Sequence, residues 1–166
     1  MAASYHNLGV VAQHRGDLQA AEQWYTKSLE IKEAFGDKPG IAISYHQLGM
    51  VAQERGDLQA ADKWYTKSLK IEEALGNRPG MALTYGQLGL LAEKRGSKEQ
   101  ALEWTVRCVS LFPEFPHPST RSGPRLLARL TKELGIEALE QSWLRCTGKP
   151  LPDQVRSGLS KMGEQG

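Results

Sequence analysis

Little in this chain invites an enzymatic or metal-binding reading. Its 166 residues hold two cysteines, Cys108 and Cys146, far apart and in no CxxC or Cys/His spacing. That pattern excludes a disulfide framework and a zinc site and leaves free, buried thiols as the expectation. No apolar run approaches the ~18 residues of a membrane span, and no basic segment followed by an apolar one opens the chain. A soluble cytoplasmic protein is therefore expected. Charge of neither sign dominates: 21 Lys and Arg stand against 19 Asp and Glu, for a net +2. Such a balance gives no ground for a nucleic-acid or membrane partner. The chain has no zinc-protease motif, nucleophile elbow or phosphate loop, and Gly148-Lys149 lacks the glycine-rich loop and following Ser or Thr of a phosphate cradle. Glu93 and Glu99 have no evident acid-base partner. Neither catalysis nor a cofactor is expected.

What the chain does have is a block of forty residues written three times. Residues 1–40 and 41–80 agree at about 28 of 40 positions, and a third copy opens at Met81 and decays after Leu111. Self-similarity at such a period marks stacked units that cannot bury their apolar faces alone.

Each unit reads as two helices. In the first, Ala2, Tyr5, Leu8, Gly9 and Ala12 keep a helical spacing that stops at Arg15-Gly16-Asp17. A second run from Leu18 through Ala21, Trp24, Tyr25, Leu29 and Ile31 continues to Phe35. Gly16 suits the left-handed position after a helix end, and Asp17 suits an N-cap. Gly36-Asp37-Lys38-Pro39-Gly40 should end the second helix, because Pro39 has no amide hydrogen and disfavours a helical Lys38. Gly9, Gly49 and Gly89 recur in register inside first helices, as Ala21, Ala61 and Ala101 do in second helices. An interior helical glycine costs about 1 kcal/mol relative to alanine, so three in register predict close helix packing. Trp24, Trp64 and Trp104 repeat as well and read as packing residues over the seam between repeats.

Tyr5, Leu8, Gly9, Gly16, Asp17, Ala21 and Tyr25, with the same set forty residues further on, resemble the tetratricopeptide repeat. The forty-residue period is similar to that of kinesin light chains, Pins-type adaptors and bacterial multi-repeat proteins. The resemblance implies an all-α fold, a right-handed α-α superhelix of three helix pairs, with a C-terminal helical cap. It also implies a non-catalytic scaffold whose first helices line a concave groove holding a peptide or amphipathic helix of a partner protein. Carried over by position, the groove would present His6, Asn7, Val10, Gln13 and His14, then His46, Gln47, Met50, Gln53 and Glu54, then Gln87, Leu90, Glu93 and Lys94. Asn7, Gln47 and Gln87 form an amide ladder beside the apolar ladder of Val10, Met50 and Leu90. The Lys and Arg needed to clamp an acidic C-terminus are absent there. His6 and His46 should stand one above the other, but no carboxylate or cysteine joins them at a metal-binding spacing.

The map that results has repeats over 1–40, 41–80 and 81–112, a proline-rich connector over 113–125, capping helices over 126–160 and a flexible tail over 161–166. Arg121, Arg125, Arg129 and Lys132 share one helical side, read as the solvated back of a helix rather than a nucleic-acid stripe. The first helix offers a side that an earlier repeat would cover. The chain is therefore expected either to be part of a longer array, such as the regulatory region of a multidomain ATPase or transcription regulator, or to form a homo-oligomer through that end.

Overall fold

A computed structural model describes residues 1–163, and all regular structure among them is helical. The chain divides into two compact units, Met1–Asn77 and Arg78–Gly166.

The first unit holds α1 (Ala2–His14), α2 (Leu18–Phe35), α3 (Lys38–Glu54) and α4 (Leu58–Leu75). Gly16 has φ +77°, a conformation that glycine adopts without steric cost, and the chain reverses there. Asp17 then caps α2, its carboxylate accepting from the Ala20 N–H at 3.0 Å. Gly36, in the left-handed conformation at φ +67°, ends α2 as the sequence suggested, but Lys38 is helical after all, and Lys38-Pro39-Gly40 form the first turn of α3. Proline fits there because a first-turn amide has no helical acceptor to lose. Asp37 caps the helix by accepting from the Gly40 N–H at 3.0 Å.

Close packing of each pair rests on the small residues. A Cβ on Gly9 would lie 2.6 Å from the Tyr25 ring, and one on Gly49 would lie 2.6 Å from the Tyr65 ring. The two tyrosines and Ala21 and Ala61 are fully buried. Ser28 Oγ donates to the Ala2 carbonyl at 2.9 Å and Ser68 Oγ to the Ala42 carbonyl at 2.8 Å, a repeated bond that locks the helix pair. Between pairs, Tyr25, Leu29, Leu48 and Val51 share one core, and Lys32 Nζ donates to Ser44 Oγ at 2.9 Å within it.

Trp24 and Trp64 both pack against the core that the two pairs share. Trp24 stacks on Tyr5, and Trp64 on Tyr45, each on the partner helix of its own pair at 5.5 Å between centroids. A cation completes each stack, Lys27 over Trp24 and Lys67 over Trp64.

The second unit holds α5 (Arg78–Lys94), α6 (Lys98–Val109), a short 3-10 turn (Pro118–Thr120), α7 (Gly123–Leu134), α8 (Ile136–Thr147) and α9 (Asp153–Gly163). The third repeat thus shares its unit with the C-terminal helices. Ala92, Leu102, Val106 and Val109 form one core with Leu126, Leu127, Leu130, Leu139, Trp143, Leu151, Val155 and Leu159. The repeat has altered to suit them. Thr105 stands where Tyr25 and Tyr65 stand in the earlier copies, and Leu126 of α7 comes within 3.3 Å of where a Cβ on Gly89 would be. A threonine leaves room that α7 fills.

Cys108 takes the place of Ser28 and Ser68, its thiol donating to the Ala82 carbonyl at 3.2 Å. Burial pushes that thiol up to about 12, so it stays protonated. Pro124, counted with the connector from sequence, lies in the first turn of α7 for the reason given for Pro39. Residues 161–163, read as tail, belong to α9; residues 164–166 lie outside the described residues.

Candidate functional site

A cleft of about 280 Å³ opens in the first unit, lined by Val10, Gln13 and His14 of α1, Gln47, Met50 and Glu54 of α3, and Tyr25 of α2. The helical period puts residues 10, 13 and 14 on one side of α1 and residues 47, 50 and 54 on one side of α3. Its polar groups are held in place rather than free. Tyr25 Oη donates to Gln13 Oε1 at 2.9 Å, and Gln13 Nε2 donates to Glu54 Oε1 at 2.6 Å. The amide therefore bridges α2 to α3 and orients the carboxylate at the cleft. Among the described residues, no lysine or arginine is paired with Glu54. The cleft offers two apolar side chains, an unneutralised carboxylate, an exposed His14 and a half-buried Gln47. Such a set can hold an apolar side chain and accept from a cationic or N–H donor beside it.

Burial, and secondarily the Glu54 carboxylate, raise the Tyr25 phenol to about 12. The phenol must stay neutral to donate to Gln13. A phenol whose folded value is raised above the ordinary 10.0 stabilises the fold below pH 10, and that contribution fades as pH rises toward 12. Tyr45 and Tyr65 are raised as well, so ultraviolet titration of the native chain should show delayed phenols, and Tyr25→Phe should remove one of them. Ionisation of Tyr25 near pH 10 would contradict this bridge.

The other sequence-assigned groove residues fall elsewhere. Asn7 is exposed outside the cleft lining, and Gln53 accepts from Tyr65 Oη at 3.0 Å. His6 and His46 do not line it. Each tilts its ring onto the tyrosine of its own pair, Tyr25 at 5.5 Å and Tyr65 at 5.4 Å. Burial, and then the charge of Lys32, lower the His6 imidazole, and its buried Nδ1 has no partner among the described residues. In the second unit Gln87 is half-buried and Lys94 exposed. Leu90 packs on the core that α7 completes. Glu93 accepts from Arg129 through both oxygens, at 3.0 and 2.7 Å. Arg129, one of the four basic residues read as a stripe, is thus an ion-pair partner, and Arg121 lies outside α7, at the end of the 3-10 turn.

Tyr25 is the cleft residue that sequence reasoning missed. Its exact forty-residue recurrence at Tyr65 looked like packing, which is also true of its ring; only the hydroxyl reaches the cleft. A larger cavity of about 450 Å³ lies in the second unit among Phe112, Phe115, Trp143, Cys146 and Lys149, with no lining residue from α5. Among the described residues, no three His, Cys, Asp or Glu side chains group as metal ligands, and no helix is long and apolar enough to cross a membrane.

A family model described as tetratricopeptide repeat matches residues 1–74 and 40–114. No curated protein matches the chain. Among solved structures, the crystal structure of BtubC (BKLC) from P. vanneervenii superposes with a TM-score of 0.72 at 17% identity. The match covers 98% of this chain and 64% of that one, so this chain spans less than two thirds of its neighbour. At that identity the likeness concerns fold alone.

Proposed function

The chain belongs to the tetratricopeptide repeat family, whose members generally mediate protein-protein interaction and are typically non-catalytic scaffolds, and on that premise we propose that its first unit captures a segment of a partner protein in the cleft between α1 and α3. The segment is a peptide or an amphipathic helix with one apolar side chain seated between Val10 and Met50 and a basic residue or free N–H facing Glu54. One observation carries this reading: Gln13 is pinned between Tyr25 and Glu54, which sets a carboxylate beside an apolar pair before any ligand arrives. Preorganised groups bind without the ordering cost that a mobile side chain incurs.

Met50 is half-buried and, unlike Val10, does not pack on the core of the first unit, so aspartate there can be solvated without breaking a helix. A buried apolar anchor contributes about 2 kcal/mol or more to an interface, equivalent to about thirtyfold in affinity. Met50→Asp should therefore weaken capture of the partner from host extract by tenfold or more (~1.4 kcal/mol) with unchanged helical circular dichroism. Lys70→Glu, an exposed change on α4, should leave capture intact. Equal capture by the wild type and by Met50→Asp would show that the cleft is not the site. Leu90→Asp is the wrong probe, because Leu90 supports the core of the second unit.

A further inference from the structure

The cavity of about 450 Å³ in the second unit is walled by rings that are fixed by contacts of their own. Phe112 stacks on His117 at 3.8 Å between centroids and 2° between planes, and His117 Nδ1 accepts from the Ser119 N–H at 3.1 Å. Phe115 presses on Gly158 of α9, where a Cβ would stand 2.8 Å from the ring. Trp143 is buried in the core of the second unit. Gln154 Nε2 donates to the Pro113 carbonyl and ties the connector to α9. The chain after α8 is held as well: Thr147 Oγ1 donates to the Trp143 carbonyl at 2.8 Å and accepts from the Lys149 N–H at 3.1 Å. Closing the space would break several of these contacts at once. Its charge is one-sided, since Lys149 lines it, no Asp or Glu does, and among the described residues Lys149 joins no ion pair. Another cavity, of about 490 Å³ beside Trp64, is built differently: Asp62 lines it, and Lys67 already lies over the Trp64 ring at 4.6 Å.

We propose that the cavity beside Trp143 binds a small aromatic anion, its ring among Phe112, Phe115 and Trp143 and its carboxylate or sulfonate against Lys149. The volume suits such a ligand, because small-molecule pockets of about 300–1,000 Å³ bury most of their occupant. Ring contacts add to the apolar area removed from water, and an ion pair in a partly enclosed space is screened less than one on open surface. Lys149 is exposed, which sets the anionic group at the mouth and the ring within. This site takes no part in the capture of a partner segment by the first unit, so either can fail without the other.

The test titrates the full chain with anilinonaphthalene sulfonate, an aromatic sulfonate whose emission rises in apolar surroundings, while iodoacetamide labelling of Cys146 reports on the cavity independently. Cys146 lines the cavity, whereas Cys108 is fully buried with a protonated thiol, so the label falls on one thiol. Dye at about ten times its Kd should slow labelling of Cys146 about tenfold, because only about a tenth of the cavities stay open. Benzoate should displace the dye where benzyl alcohol at the same concentration does not. Lys149→Gln should weaken dye binding about tenfold with unchanged helical circular dichroism, the loss expected for a hydrogen bond to a charged group. Lys67→Gln, at the Trp64 cavity, should leave binding as it is. Absence of saturable binding, or dye that binds without protecting Cys146, would overturn the proposal. So would equal displacement by benzoate and benzyl alcohol, or binding that is lost on Lys67→Gln rather than on Lys149→Gln.

Discussion

Gly49→Val should destabilise the chain by about 3 kcal/mol, the upper part of the range for overpacking a buried contact. A Cβ at this position would stand 2.6 Å from Tyr65 Cε1 and 2.7 Å from Cδ1, far inside contact distance. The ring cannot give way, because Tyr65 is fully buried and its hydroxyl is tied to Gln53 at 3.0 Å. Either the helix pair opens or the phenol loses its acceptor, and each costs core contacts. The gain in helix propensity over glycine offsets well under 1 kcal/mol of this for a β-branched residue. Urea unfolding should show the midpoint falling with little change in slope. Gly86→Ala is the matched control. A Cβ there meets only Cys108 Sγ, at an ordinary 3.8 Å, so the substitution should stabilise by about 0.5–1 kcal/mol. Destabilisation by both, or by neither, would refute the claim that the in-register glycines exist for close approach.

Leu127→Ala is expected to cost about 3 kcal/mol through lost transfer energy and the cavity left behind. Leu127 is fully buried in the core that the third repeat shares with α7, α8 and α9. Its neighbours come from both sides of that core, so they cannot collapse into the space without moving a helix. Leu144→Ala, on the exposed side of α8, should stay within about 0.5 kcal/mol. If Leu127→Ala proved as mild as Leu144→Ala, the C-terminal helices would not be an integral part of the second unit.

The helix pairs were legible because the repeat displays each pair twice with little change, so period, glycine and cap residues agree at every level. Asp17 and Asp57 cap α2 and α4 at the positions that the turn chemistry assigns. Boundaries next to proline were less legible: Pro39 and Pro124 are helix breakers in an interior and helix starters in a first turn, and local sequence does not tell which. The lining of the cleft was legible in part. The cleft brings together Val10, Gln13 and His14 of α1 with Gln47, Met50 and Glu54 of α3, but leaves out Asn7 and Gln53, the repeat counterparts of Gln47 and Gln13. In the third copy two of the corresponding positions are engaged by residues outside the repeat. Arg129, 36 positions from Glu93, takes its carboxylate, and the C-terminal core takes Leu90. Long-range partners of that kind leave no local periodicity to read. The hydroxyl of Tyr25 was hidden differently, because one residue serves both the core, with its ring, and the cleft, with its oxygen.

The central claim is that a partner segment sits between α1 and α3, and a photo-crosslinking side chain placed in turn at two positions tests it most directly. Gln47 lines the cleft, whereas Thr66 is exposed on α4. The partner should crosslink at position 47 and not at position 66, with the yield at 47 lost when Met50→Asp is added. Crosslinking at 66 in preference to 47, or a yield at 47 that Met50→Asp leaves unchanged, would contradict the account.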